Sequence, residues 1–324
     1  MGDLQTRGSV RIYGCGGAGV NITSFFNEAG IENNCAEIYP AYIDASRSNL
    51  RSDFSEENIF ILENVDGSGK VRRENHEEIA NVTRQILLQI PPKDFNIVIF
   101  SASGGTGSVS GPLLVAELLE RKLPVVALVI GSDESIITAT NTLNTLKTLE
   151  KVSRTKKLPV VMYYEHNDRD RKQGDIDRQL HLVVSTLSVL TSRLNHGMDT
   201  RDVINWVQFS HTTSVDPQLA LFEVFKDDEL VEAVSDPISV ASVYKDRDVP
   251  MTRLAPEYHS DGYCSQPSEY FEQLHFVITI DRIPKIVGNV KKTLEDYENH
   301  RSSRVKHSSI LDDNDSQDDN VLVL

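Results

Sequence analysis

The sequence predicts an α/β fold: a parallel-sheet domain, a long central helix, a smaller α/β second domain, and a C-terminal helix with an acidic tail. Three observations predict it. Six short apolar runs, "SVRIY", "EIYPAYI", "NIFIL", "FNIVIFSA", "LPVVALVI" and "LPVVMYY", alternate with helix-length segments over the first half of the chain. Runs that are apolar on both faces belong to a sheet covered by helices on each side. Second, Ile176, Leu180, Val183, Val184, Leu187, Leu190 and Leu194 recur at three- and four-residue spacing, the stripe of a one-sided helix. Third, "ILDDNDSQDDNVLVL" joins five aspartates to an aliphatic tip, a segment unable to build a core by itself.

Taken in order, "SVRIY" opens the sheet and runs into a glycine turn. The segment "SGPLLVAELLERKL" places Leu113, Leu114, Leu118 and Leu119 on one face, as a crossover helix between two buried strands requires. This nucleotide-sized α/β domain spans 1–174 and closes with the charged loop "DRDRKQG". The central helix is expected over 175–198, with "NHG" as its stop. A second domain over 199–284 contains "INWVQFS", "ISVASVY" and "LHFVITI", broken by the polar loop "APEYHSDGYCSQPSEYF". A mostly polar helix over 285–310 leads to the tail, 311–324.

At 324 residues and 39% hydrophobic, the chain has room for roughly two domains with buried cores. Its 33 basic and 48 acidic residues give a net charge of −15. That balance argues against a general nucleic-acid or anionic-membrane surface, both of which need clustered positive charge. Cys15, Cys35 and Cys264 are too widely spaced for a disulfide framework and read as buried thiols of a reducing compartment. No run reaches the ~20 apolar residues of a membrane span, so a cytoplasmic protein is expected.

Chemistry concentrates in glycine loops. "YGCGGAGVN" follows a strand and contains G-x-G-x-x-G through Gly14, Gly16 and Gly19, and Asp44 stands 25 residues beyond Gly19, where a dinucleotide site would place its ribose-binding acid. Alone, this motif leaves a Rossmann-type NAD-dependent oxidoreductase open. A second loop, "SASGGTGSVSG", follows the strand "FNIVIFSA". Gly104, Gly105 and Gly107 permit close backbone approach, and Thr106 and Ser108 offer hydroxyls to phosphate oxygens. Two such loops suit a nucleoside phosphate gripped from two strand ends better than they suit a dinucleotide. The segment "DGSGK" is not a Walker A loop, since Asn64 and Val71 occupy the positions of its leading glycine and its hydroxyl residue. Asp199 and Asp202, spaced i, i+3 in "MDTRDV", suit two roles: an N-cap with a dipole-compatible acid, or a carboxylate pair orienting water and Mg²⁺.

"GGTGS" closely resembles the glycine box of the tubulin and FtsZ superfamily, with Ser103 and Val109 at its flanking glycine positions, and "GCGGAGVN" resembles the first loop of that family. "NHGMDTRDVINWVQF", "LHFVITI" and the aspartate-rich tail are most similar to the tubulins of large bacteriophages. The resemblance implies a GTPase that binds GTP or GDP with Mg²⁺ through Gly16, Gly17, Ala18 and Asn21, with Asp44 near the nucleotide and Gly67 and Gly69 sensing the γ-phosphate. Gly104, Gly105, Thr106, Gly107 and Ser108 would hold phosphates. Asn167 and Asp177 resemble the positions that read guanine, although Asp177 equally suits a helix's first turn.

By the same resemblance, Asp199 and Asp202 would hydrolyse GTP held by the next subunit. They stand about 30 Å from the nucleotide end of a central helix of some 20 residues. The implied assembly is a head-to-tail homopolymer in the host cytoplasm, associated indirectly with phage DNA or capsid cargo, without membrane or direct nucleic-acid contact. Asp312, Asp313, Asp315, Asp318, Asp319 and Leu324 would dock on a neighbour, with Arg72 and Arg73 or Lys245 and Arg247 as basic partners. FtsZ has asparagine where this chain has Gly197.

Overall fold

In the computed structural model of the chain, residues 7–28, 35–62, 76–167, 172–226, 231–246, 256–264 and 272–304 are described. Gly67, Gly69, Arg72, Arg73, Arg247 and the tail from 311 to 324 lie outside them.

The strands are β1 (Ser9–Cys15), β2 (Glu37–Asp44), β3 (Ile59–Ile61), β4 (Phe95–Ser101), β5 (Val125–Ser132), β6 (Val160–Asn167), β7 (Leu219–Phe225), β8 (Ser239–Tyr244), β9 (Tyr258–Tyr263) and β10 (Gln273–Thr279). They form one sheet in the order β3-β2-β1-β4-β5-β6-β7-β10-β8-β9. The first seven are parallel neighbours, with β7 joining β6 through Val160–Met162 opposite Leu219–Leu221. Strand β10 pairs antiparallel with both β7 and β8, and β9 lies parallel to β8 at the edge. The second α/β unit therefore extends the first sheet instead of building its own.

The six apolar runs each become a strand because both of their faces are covered. On one face, Ile12, Ile97, Ile99, Val126 and Leu128 pack with α1 (Gly16–Glu28), α5 (Gln173–Leu190) and α6 (Thr200–Val207). On the other, Tyr13, Val98, Phe100, Ala127 and Val129 meet α2 (His76–Gln89), α3 (Thr106–Glu120), α4 (Ile136–Lys156) and α7 (Ile283–Arg304). The period-two alternation of a strand sends neighbouring residues to opposite layers. Phe222 and Phe276 share the first layer with Ile12, and Trp206 packs edge-on against both while its indole N–H donates to the Phe276 carbonyl at 3.0 Å.

Three expectations need correction. The central helix runs from Gln173 to Leu190, not to Met198. Leu194 continues the apolar spacing, but Arg193 takes a left-handed φ of 61°, and the Asn195 amide donates to the carbonyls of Val189 and Leu190 at 3.2 and 2.9 Å. Those bonds satisfy the orphan carbonyls of a helix that has already ended. Inside the expected polar loop, "YHSDGY" forms β9, held in register with β8 from Ser239 opposite Tyr258 to Tyr244 opposite Tyr263. The C-terminal helix also starts two residues earlier than expected, at Ile283.

Candidate active site

The parallel strands β1, β2, β4, β5 and β6 all end on one edge of the sheet, at Cys15, Asp44, Ser101, Ser132 and Asn167. Helices α1 and α3 start there, and neither carries an acid in its first turn. Their positive ends are left for a ligand's negative charge. The loops that start them touch. A Cβ on Gly16, whose φ is +69°, would stand 2.7 Å from the Gly107 nitrogen, and one on Gly107 would stand 2.6 Å from the Cys15 carbonyl oxygen. Only glycine permits this approach.

Gly104 differs, because a Cβ there meets nothing nearer than 3.8 Å. Its freedom fits an approach from outside the chain. Gly105 is the N-cap of α3 and makes no side-chain cap bond, which leaves first-turn N–H groups without a side-chain acceptor. Thr106 is buried beside them, whereas the fully buried Ser108 hydroxyl donates to the Gly105 carbonyl at 3.0 Å. The hydroxyl proton expected on phosphate is thus engaged within the loop.

Asp44 is buried, and its carboxylate accepts from the Ala45 N–H at 2.7 Å and the Asn49 amide at 2.6 Å. Burial pushes its carboxyl above the usual carboxylate range, and these donors pull it part of the way back. Asn49 also lies against Gly17, 3.1 Å from the place of a Cβ, so it ties the end of β2 to the first loop. Ala18 is half-buried in the same turn.

Farther along α1, the Asn21 amide donates to Asp177 on α5 at 3.2 Å. Burial raises the Asp177 carboxyl. One turn on, His181 stacks on Phe26 with centroids 4.8 Å apart. Two residues singled out 156 positions apart thus form one donor and acceptor pair at the rim. Asn167 is engaged elsewhere: its amide donates to Glu134 at 3.4 Å, in the loop before α4.

Asp199 and Asp202 lie at the opposite end of the sheet. Asp199 lines a cavity with Phe95, which opens β4, and with Leu190, which ends α5. The glycine box begins seven residues along β4, at Ser101, a rise of about 20 Å. Asp199 caps α6, accepting from the N–H groups of Arg201 at 2.6 Å and Asp202 at 3.1 Å, while Asp202 Oδ2 accepts from the Asp199 N–H at 2.9 Å. This is a capping box. Each carboxylate keeps further lone pairs, and Asp199 remains exposed.

Residues 9–157 match the Tubulin/FtsZ family, GTPase domain, and residues 198–280 match the phage tubulin-like protein, C-terminal domain. Over 99% of both chains the sequence is 30% identical to the phage tubulin-like protein of Pseudomonas phage phiKZ. The chain belongs to the phage tubulins. A second phage tubulin-like protein, from Pseudomonas phage PhiPA3, is 28% identical over 97% of this chain and 98% of its own. Among solved structures, the protofilament of TubZ from bacteriophage PhiKZ superposes with a TM-score of 0.86 at 31% identity, covering 97% of this chain and 99% of that one. The phage tubulin PhuZ bound to GDP gives a TM-score of 0.85 at 26% identity over the same shares.

This phage tubulin is a GTPase, and the dinucleotide alternative is set aside. Its glycine edge also uses residues that no motif marks. From α4, Asn141 donates to the Ser103 carbonyl at 3.2 Å and Thr145 to the Ala102 carbonyl at 2.9 Å, bracing the glycine box from behind. Polar residues on the otherwise apolar inner face of α4 were the available signal. Gly197 sits at a φ of +90°, where a Cβ would come 3.2 Å from the Asp261 carbonyl, a backbone position that favours glycine.

Proposed function

We propose that the protein assembles head to tail into filaments and that Asp199 and Asp202 of one subunit complete GTP hydrolysis in the next. The separation of the two ends carries the reading. Asp177, near the start of α5, belongs to the glycine edge, and the aspartate pair follows the helix's other end, about 27 Å away for its 18 residues. A heterologous contact between unlike ends need not close and so propagates. Relatives described as a protofilament and a filament support this, as does the phage tubulin named with bound GDP.

Within that assembly, Gly16, Gly17, Ala18, Asn21, Asp44 and the 104–108 loop bind GTP, joined by Gly67 and Gly69. Asp177 reads the guanine edge, with Asn167 at its border. Mg²⁺ arrives on the triphosphate, keeping several waters and needing only one or two carboxylates from protein. The tail, through Asp312, Asp313, Asp315, Asp318, Asp319 and Leu324, docks on a neighbouring subunit. The filament acts in the host cytoplasm, positioning phage DNA or its replication body.

Light scattering, phosphate release and negative-stain images with GTP, GDP and a non-hydrolysable analogue test the reading. Asp202→Ala is expected to form filaments while phosphate release falls at least about 100-fold. Equal release by the variant and the wild type overturns the catalytic assignment. Filaments that form without nucleotide overturn the coupling.

A further inference from the structure

Strand β9, "YHSDGY", carries aspartate and glycine, two residues depleted in strands, between two tyrosines. Its neighbours hold it. On one side it runs parallel to β8, and across that pair the Ser242 hydroxyl lies 3.1 Å from His259 Nε2 and 2.9 Å from His275 Nδ1, while His259 meets Asp261 at 3.0 Å. On its other side, Tyr263 and His196 exchange two backbone hydrogen bonds of 2.8 Å.

The segment 195–198 is therefore clasped between the end of α5, capped by Asn195, and β9. The fit is close, since a Cβ on Gly262 would come 2.9 Å from Met198 Cβ and 3.3 Å from Asn195 Cβ. Asp199 follows directly, and Asp202 lies one turn further. The first residue of β9 closes the arrangement: the Tyr258 hydroxyl donates to Asp202 Oδ1 at 3.1 Å and lies 3.4 Å from the Asp202 carbonyl.

We propose that Tyr258 is a positioning residue for GTP hydrolysis, fixing the Asp202 carboxylate that one subunit presents to the nucleotide of the next. The inference rests on the reading of Asp202 given above. The capping box holds Oδ2 and the phenol holds Oδ1, so both oxygens have a donor and rotation about χ2 is restrained. Each oxygen still has a lone pair for a water. A carboxylate held in one orientation aligns that water without reorganising when subunits meet. The role proposed for Tyr258 runs through Asp202.

Tyr258→Phe removes only the hydroxyl and keeps the ring in its half-buried place. Full-length Tyr258→Phe, Asp202→Ala and the double variant are compared for phosphate release per polymerised subunit, GTP affinity, and critical concentration with a non-hydrolysable analogue. Tyr258→Phe should lower turnover per polymerised subunit about tenfold, with affinity and critical concentration unchanged. The double variant should be no slower than Asp202→Ala alone. Wild-type turnover in Tyr258→Phe, with Asp202→Ala inactive, overturns the proposal. A parallel loss of assembly and turnover also overturns it, because the hydroxyl would then serve the fold. Wild-type turnover in Asp202→Ala instead overturns the underlying reading.

Discussion

The two ends of the sheet reach their chemistry by opposite means. At the glycine edge, side chains are missing where the loops meet, and backbone N–H groups at two helix starts provide the charge complement. At the aspartate end, the two carboxylates proposed to complete hydrolysis are held by their own helix, by Tyr258 and through the neighbouring strand β9. The first arrangement is set by backbone geometry where two loops meet, Gly16 against Gly107. The second depends on partners up to 56 residues away. A binding edge gains from being preformed in the free subunit, and on the proposed trans mechanism the aspartate end has no need to attract phosphate.

The largest effect that would sharpen this contrast is expected at Gly16. Gly16→Ala places a Cβ at positive φ against the Gly107 backbone, and urea unfolding should show a loss of about 2–4 kcal/mol. Gly104→Ala meets no atom within 3.7 Å and should stay within about 0.5 kcal/mol of wild type, yet a fluorescent GTP analogue should bind it more weakly. Equal stability losses at the two glycines would break the distinction between a glycine that packs and one that faces ligand.

Asn49→Ala comes next. It removes the 2.6 Å donor to buried Asp44, at about 1 kcal/mol at neutral pH. The folded-state Asp44 carboxyl already lies above its unfolded value, so its contribution to stability is complete below the unfolded value near 3.9 and is lost as pH rises through the folded one. Loss of the donor raises the folded value further. The gap between variant and wild type should therefore shrink on acidification and vanish by about pH 3; a gap constant with pH would assign Asn49 a packing role.

The smallest effect belongs to His181, whose imidazole burial pushes below its usual value. The sign is opposite to that of Asp44. The unfolded chain takes up the proton first, so stability is complete above about pH 6.5 and declines as pH falls toward the folded-state value. His181→Gln should flatten that part of a chemical-unfolding pH profile, and an unchanged slope would show that another group carries it.

Legibility in the sequence follows the same division. Strands β1 to β6 and both glycine loops were readable because each is local: an apolar run, then glycines, then a helix stripe. Asn141 and Thr145 were not, since each reaches the glycine box from α4, 38 and 43 residues on, and Asn49 was not, since no motif marks a side chain five residues past Asp44 as its donor. "LALFEVF", which became β7, carries a strand's own signal, an apolar run bounded by "DPQ" and "KDDE". "YHSDGY" was read as loop because its composition opposes a strand, and β8 together with His196 overrides that preference. The end of α5 was misplaced because Leu194 keeps the helical period after the backbone has turned; Asn195, which caps the last carbonyls, was the better marker.

The insertion of β10 between β7 and β8 sets an order in time as well as in space. As the chain leaves the ribosome, every described piece of the glycine edge has emerged once α5 is out, and each parallel pair there joins segments already made. Strand β7 gains its second neighbour only when residue 279 has followed. The clasp on segment 195–198 and the hydroxyl on Asp202 likewise wait for β9. A nascent subunit thus completes the glycine edge before the end proposed to act on its neighbour.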